Sequence, residues 1–289
     1  MNYRHAFHAG SFADVVKHAV LARIIAHLKD KPAAFRVIDT HAGAGFYDLS
    51  GDEASRTGEW RAGIGKLTKA TLAADVRALL SPYLDAVAAF NSGGKITAYP
   101  GSPVLAQCLM RAQDRLIACE LEPVAAQALT ARMRGDDRVK AITIDGYTAL
   151  NAYVPPKERR GVVLVDPPFE EPGEFERLAD GLARAHRKWP TGIYALWYPL
   201  KDARVTDTFA RRLAGLGIAR ILCAEVTIPG RAAAPGPNDT PRLGGTGLIL
   251  VNPPWTLEGE LGVLLPALAA ALAEKDQGRT RLDWLAREK

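Results

Sequence analysis

Gly161-Val162-Val163-Leu164-Val165-Asp166-Pro167-Pro168-Phe169 decides how this chain is organised: an apolar, β-branched run meets an acid, two prolines and an aromatic ring. The run reads as a strand, and the Pro-Pro exit ends it. The same kind of segment recurs on both sides. Upstream, residues 35–40 form a β-rich run ending in Asp39-Thr40 and opening into His41-Ala42-Gly43-Ala44-Gly45. Residues 116–120 and 141–146 are further short strands, with a helix after the first through about Arg134. Downstream, residues 193–197, 221–228 and 246–251 complete the series. Strands that alternate with helices imply an α/β fold with a mostly parallel sheet covered on both faces. The last two strands, with no helix between them, suit an antiparallel hairpin at one edge.

Two regions stand outside the alternation. Ser11 and Asp14 form a helix-capping pair before apolar residues at helical spacing, which predicts a helix over 12–29. Residues 47–99 show helical stretches around 54–67 and 72–90 without a convincing strand, and read as a helical insertion on the first strand's loop. The expected organisation is one main domain, residues 1–46 and 100–289, carrying a 47–99 subdomain. At 289 residues and 48% hydrophobic content, a single large core is the expectation.

Composition narrows the function classes. No apolar run approaches the roughly 18 to 20 residues that span a bilayer, and Met1-Asn2-Tyr3-Arg4-His5 lacks a signal-peptide core, so the expectation is a cytoplasmic chain with no membrane partner. Cys108, Cys119 and Cys223 are widely separated and read as small buried hydrophobes. His5, His8 and His18 have no completing Cys or carboxylate pattern, and no metal is expected. A net charge of +5 is compatible with a polyanionic partner.

The chemistry lies in the strand ends. Asp39, Glu120, Asp145 and Asp166 end four successive strands, and ligands of open α/β sheets sit at such carboxyl ends, where the strand order reverses. Glu120 is placed to accept ribose hydroxyls, and Asp145-Gly146 to accept an adenine amino group. Four carboxylates suit a sulfonium and an ammonium and repel a pyrophosphate, which favours S-adenosylmethionine over a dinucleotide. Taken singly, each acid could instead cap the next helix.

Asp166-Pro167-Pro168-Phe169 suits methylation of an amino group whose lone pair is delocalised into a ring. The carboxylate and the Pro167 carbonyl can accept its two N–H groups, and proline adds no competing donor. Phe169 can stack on a base drawn out of its helix. Asn252-Pro253-Pro254-Trp255 repeats the pattern after Gly247-Leu248-Ile249-Leu250-Val251. Asp166 ranks first because it closes a strand within the acid-ended series, whereas Asn252 closes a late one. The Pro/Gly-rich segment 229–245, with Arg231 and Arg242, reads either as a basic flap over substrate or as a plain surface excursion.

Several further segments carry a resemblance. Tyr3-Arg4-His5-x-Phe7-His8-Ala9-Gly10, Asp14-Val15-x-Lys17-His18, Asp39 to Gly45, Tyr99-Pro100-Gly101-Ser102-Pro103 and Ile193-Tyr194-Ala195-Leu196-Trp197-Tyr198-Pro199 resemble the bacterial 23S ribosomal RNA (adenine-N6)-methyltransferases of the YhiR/RlmJ family, nearly end to end. The resemblance implies a Rossmann-like methyltransferase fold with a small helical subdomain. It implies S-adenosylmethionine contact by His18, His41, Ser102, Glu120, Asp145, Gly146 and Asp166, with Asp166 also accepting the amino proton. It implies substrate contact by Tyr3 and His5 in an N-terminal arm, and by Lys17. The implied partner is 23S rRNA, naked or in an assembling subunit, and the implied state a monomer. Phe169 stands where tyrosine is common in the family, which keeps stacking and removes a hydroxyl. Other classes left open are a DNA adenine or protein glutamine methyltransferase and a non-catalytic RNA-binding protein. A nucleotide-dependent oxidoreductase is disfavoured by the missing G-x-G-x-x-G.

Overall fold

The computed structural model describes residues 5–228, 243–273 and 278–288. Tyr3 and most of segment 229–245, including Arg231 and Arg242, lie outside them.

Along the described chain, helix α1 (Phe12–Lys29) leads to β1 (Arg36–Asp39) and β2 (Phe46–Asp48). Short helices α2 (Asp52–Thr57), α3 (Glu59–Ala62) and α4 (Ile64–Leu67) precede α5 (Ala74–Ala88). Then come β3 (Ala98–Pro100), α6 (Ser102–Leu109), β4 (Arg115–Glu120), α7 (Pro123–Met133), β5 (Val139–Thr143) and α8 (Gly146–Ala152). The second half holds β6 (Gly161–Val165), α9 (Glu174–Lys188), β7 (Ile193–Pro199), α10 (Ala203–Ala214), β8 (Ile221–Thr227), β9 (Gly245–Val251), α11 (Leu257–Leu272) and β10 (Arg279–Ala286).

Eight strands form one sheet in the order β10, β8, β9, β7, β6, β1, β4, β5. The five from β7 to β5 run parallel. β9 runs antiparallel to both β7 and β8, and β10 antiparallel to β8. The expected β8/β9 pairing forms, and β10, which sequence reading did not anticipate, adds outside it as the edge strand. β6 shows why the central strands are apolar throughout: Val162 and Leu164 enter the core under α1, whereas Val163 and Val165 enter the core under α9 and α10. With both faces covered, no polar alternation survives.

Helix α1 occupies the expected span. Ser11 Oγ accepts the Asp14 N–H, and nearly the whole helix is buried. The 47–99 region is helical as read, but β2 and β3 pair antiparallel at its base. These three-residue strands are too short to show a period. Val76, Leu80 and Tyr83 of α5 share one apolar core with α1. Arg23 of α1 forks onto both carboxylate oxygens of Glu260 in α11, at 2.8 and 2.9 Å.

Candidate active site

The carboxyl ends of β6, β1, β4 and β5 surround a cavity of about 540 Å3. Strand order reverses between β1 and its two neighbours, β6 on one side and β4 on the other, as the general rule for ligand sites in such sheets requires. His5, Lys17, His18, His41, Ser102, Glu120, Asp145, Gly146, Asp166 and Pro167, all named from sequence, line this cavity.

Glu120 ends β4 with both carboxylate oxygens in use. Oε2 accepts the Gly43 N–H at 2.8 Å, and Oε1 accepts those of Leu121 and Glu122, each at 2.8 Å. The first bond ties β4 to the turn after β1, where Gly43 holds a left-handed φ of 60°. Asp145 differs from its expected place: β5 stops at Thr143, and Asp145 caps α8, with Oδ2 accepting the Thr148 N–H at 2.7 Å. Gly146 follows because nothing larger fits. A Cβ there would lie 2.4 Å from the His41 ring and 2.6 Å from the Thr40 carbonyl oxygen.

Asp39 does not join the other acids at the cavity wall. It is 1% exposed beneath it, its Oδ2 without a partner among the described residues. Burial pushes its carboxyl up to about 7, against the hydrogen bond from Ser102.

His18 and His41 are neutral. Burial pushes His41 down to about 4 against the pull of Asp166 and Asp145, and His18 down to about 3 against Asp14. The Thr40 hydroxyl donates to the Leu164 carbonyl and stands 2.8 Å from His41 Nδ1. With its one proton committed, Thr40 accepts from His41 Nδ1–H, which leaves Nε2 as an acceptor. His18 Nδ1 lies 2.7 Å from Tyr99 Oη, which lies 3.0 Å from Tyr83 Oη. His18 Nε2 is buried and unpartnered among the described residues.

Asp166 follows β6 and is held from α1. Lys17 Nζ donates to Asp166 Oδ2 and reaches Asp14 Oδ1 at 2.8 Å. Burial disfavours the ammonium, but the two carboxylates outweigh it and raise the Lys17 pKa. Asp14 Oδ2 also accepts the Gly10 N–H at 3.0 Å and meets His5 Nε2 at 3.1 Å, so a polar chain runs from the N-terminal turn to Asp166. Lys17 is therefore a buried ion-pair partner, 4% exposed, and not a surface cation.

Phe169 is the member of the tetrapeptide that does not line the cavity. Its ring packs on Phe175 and Trp197, with centroids 4.8 and 5.8 Å away, and its φ is 52°. Tyr147 and Arg177 were not anticipated. Arg177 lies over the Tyr147 ring at 4.6 Å, and the Tyr147 hydroxyl donates to Glu174 Oε1 at 2.6 Å. These residues come from α8 and α9, and no local pattern marks them. Asp14 did carry a signal, since it is the one carboxylate in its helix and stands one turn before Lys17.

Asn252-Pro253-Pro254-Trp255 lies at the opposite end of the strands, beside the amino end of β7, because β9 runs against β7 and Val251 pairs with Tyr194. Asn252 Nδ2 donates to the Pro190 and Gly192 carbonyls at 2.7 and 2.8 Å, a closure of the turn before β7. Trp255 is exposed on that far side.

Residues 32–286 match the family model described as "Ribosomal RNA large subunit methyltransferase D, RlmJ". The chain is 39% identical over 290 aligned residues to "Ribosomal RNA large subunit methyltransferase J" of Escherichia coli (strain K12), with both proteins covered completely. It is 36% identical to the protein of the same name in Haemophilus influenzae, again over all of both. A crystal structure of a protein from Legionella pneumophila str. Philadelphia 1 superposes with a TM-score of 0.84 at 30% identity, over 96% of this chain and 98% of that one.

Proposed function

The chain belongs to the RlmJ family of ribosomal RNA large subunit methyltransferases, and from that premise we propose that it methylates the N6 amine of one adenine in 23S rRNA through Asp166. S-adenosylmethionine is its cofactor, and the cavity fits that group. Glu120, Asp145 and Asp166 surround it with carboxylates, which suit a sulfonium and an ammonium. The buried, unpartnered His18 Nε2 is the kind of atom a bound ligand satisfies. Glu120, fixed by three backbone N–H groups, keeps lone pairs for ribose hydroxyls, and Asp145 Oδ1 is left for an adenine amino group. His41 offers an acceptor, Ser102 a hydroxyl, and Gly146 the room for close approach. When bound, the cofactor supplies a methyl carbon with a neutral thioether as leaving group.

The observation that carries the reading is the orientation of Asp166. Its Oδ2 is committed to Lys17, so Oδ1 is the oxygen that accepts one N–H of the target amine, while the Pro167 carbonyl accepts the other. Held this way, the amine nitrogen would become more tetrahedral, with its lone pair free to meet the methyl group that the bound cofactor would supply. Asp166 and the Pro167 carbonyl would keep that grip throughout, and the surplus proton would pass to solvent after transfer, so no strong base is required. Lys17 acts as a positioning residue, and His5 and Asp14 brace it. Tyr3 and His5 are assigned to the approach of the RNA. Phe169 stacks on the extruded base when its ring turns from Phe175 and Trp197. Its left-handed backbone, unfavourable for a bulky residue, marks a constrained position.

One chain supplies the acid series and the catalytic tetrapeptide together, which supports action as a monomer. Among the described residues no helix is long and apolar enough to cross a membrane, and with an rRNA substrate the assigned place is the cytoplasm, on naked rRNA or an assembling subunit. The test is ligand-induced thermal shift followed by transfer. S-adenosylhomocysteine should raise the melting temperature and NAD should not, and labelled methyl should enter 23S rRNA and not DNA. A shift with NAD alone, or label only in DNA, overturns the reading.

A further inference from the structure

The first turn of α9 separates two cavities of opposite character. Glu174 and Arg177 face the cavity just described, whose mouth also carries Glu170 and Glu171. On the other side of the same turn, Phe175 and Glu176 line a second cavity of about 310 Å3, completed by Arg204, Val205, Thr208, Phe209 and Arg212 of α10. Helix α10 begins just after the carboxyl end of β7, so both cavities open on one edge of the molecule.

Charge and packing point to the occupant. The first cavity is rich in carboxylates and repels phosphate, so a strand that delivers its base there needs cations close by. The second cavity supplies them. Arg204 makes no side-chain ion pair among the described residues. Arg211 donates to Thr208 Oγ1 at 3.0 Å, and Arg212 bridges to Asp180 at 2.7 Å, which fixes α10 against α9. Beside Arg204 and Arg212 lies an apolar wall of half-buried Phe175 and of Val205, 43% exposed at its lip, with the buried Phe209 ring packed behind Phe175 at 5.1 Å between centroids. The wall is continuous with the catalytic tetrapeptide, because Phe175 also packs on Phe169. Apolar and aromatic surface ringed by arginine is how proteins hold an unstacked nucleotide, and only the first turn of α9 lies between this place and the cavity assigned to the target base.

We infer that the groove between α9 and α10 is a second RNA subsite, which takes an unpaired nucleotide next to the target adenine, its base on Phe175 and Val205 and its phosphate on Arg204 and Arg212. The inference rests on the rRNA methyltransferase reading and adds how the strand is gripped once the base is extruded.

Val205→Asp and Arg204→Glu change exposed positions and leave the fold in place. Steady-state methylation of an RNA fragment containing the target adenine should show KM for RNA raised about tenfold in either variant, the size of one stacking contact. Turnover at saturating RNA and affinity for S-adenosylhomocysteine should stay unchanged. Removing single bases from the fragment should identify one flanking nucleotide whose loss raises KM for the unaltered chain and has no further effect on Val205→Asp. Unchanged KM in both variants, or additive effects of every base removal, would overturn the subsite while leaving methylation by the unaltered chain intact. Failure of the unaltered chain to methylate any RNA would instead sink the reading beneath it.

Discussion

Asp166 and Asn252 stand in look-alike tetrapeptides, and their hydrogen bonds separate them. Asp166 has Oδ2 on Lys17, which in the proposed mechanism leaves Oδ1 for the target amine, whereas the Asn252 amide spends both its N–H donors on the Pro190 and Gly192 carbonyls. Asp166→Ala should abolish methyl transfer while leaving S-adenosylhomocysteine affinity largely intact. Asn252→Ala should keep kcat/KM within about tenfold and lower stability by about 1 to 3 kcal/mol, the cost of unpaired carbonyls, as read by denaturant unfolding. Asp39 makes a separate prediction about pH. Its carboxyl titrates near 7 in the fold and near 3.8 in the unfolded chain, so between those values the folded state holds a proton that the unfolded state has lost. This group therefore costs stability as pH rises through that window. Asp39→Asn, always neutral, should gain on the parent by about 1.4 kcal/mol per pH unit from pH 4 to 7. A constant difference across the window would contradict the raised pKa that burial gives Asp39. The acids were legible because each ends an apolar run. That Asp39 sits beneath the cavity was not, and helix capping, open for each acid, is realised at Asp145 because the pattern locates a strand's end only to within a residue or two.

Elements bring together what the chain keeps apart. Helix α1 was legible in both limits, from the Ser11 cap and its apolar spacing, but the partner of Lys17 lies 149 residues away and no local pattern connects them. Lys17→Met should leave Asp14 and Asp166 buried without their cation, a loss of the order of 3 to 5 kcal/mol. Turnover should fall at least tenfold, with part of it restored by Lys17→Arg. Loss of stability without loss of turnover would show that Lys17 does not position Asp166. At the start of α8, Gly146→Ala would press a Cβ on the Thr40 carbonyl and the His41 ring, and it should weaken S-adenosylhomocysteine binding more than RNA binding in parallel titrations. β10 was missed for a physical reason. Arg279-Thr280-Arg281-Leu282-Asp283 is charged, as suits an exposed edge that must not pair with a second sheet.

Across the whole molecule, the order of strands turns a one-dimensional series of acids into a site. Because β1 lies between β6 and β4, Asp166 and Glu120 flank one crevice although 46 positions separate them in sequence. Because β9 runs against its neighbours, Asn252 falls at the opposite end of the strands from Asp166. The alternation of strands and helices made the parallel half legible, and the missing helix between β8 and β9 made their hairpin so, but the pairing of β9 with β7 and the addition of β10 outside β8 depended on contacts that no local pattern encodes. The most direct test of the account is to incubate large-subunit rRNA with labelled S-adenosylmethionine and either the unaltered protein or Asp166→Ala, then map modified nucleotides by mass spectrometry. The account predicts N6-methyladenosine at one position with the unaltered protein, and none with a variant that still binds S-adenosylhomocysteine. Equal methylation by the variant, or methyl placed on any atom other than an adenine N6, would contradict it.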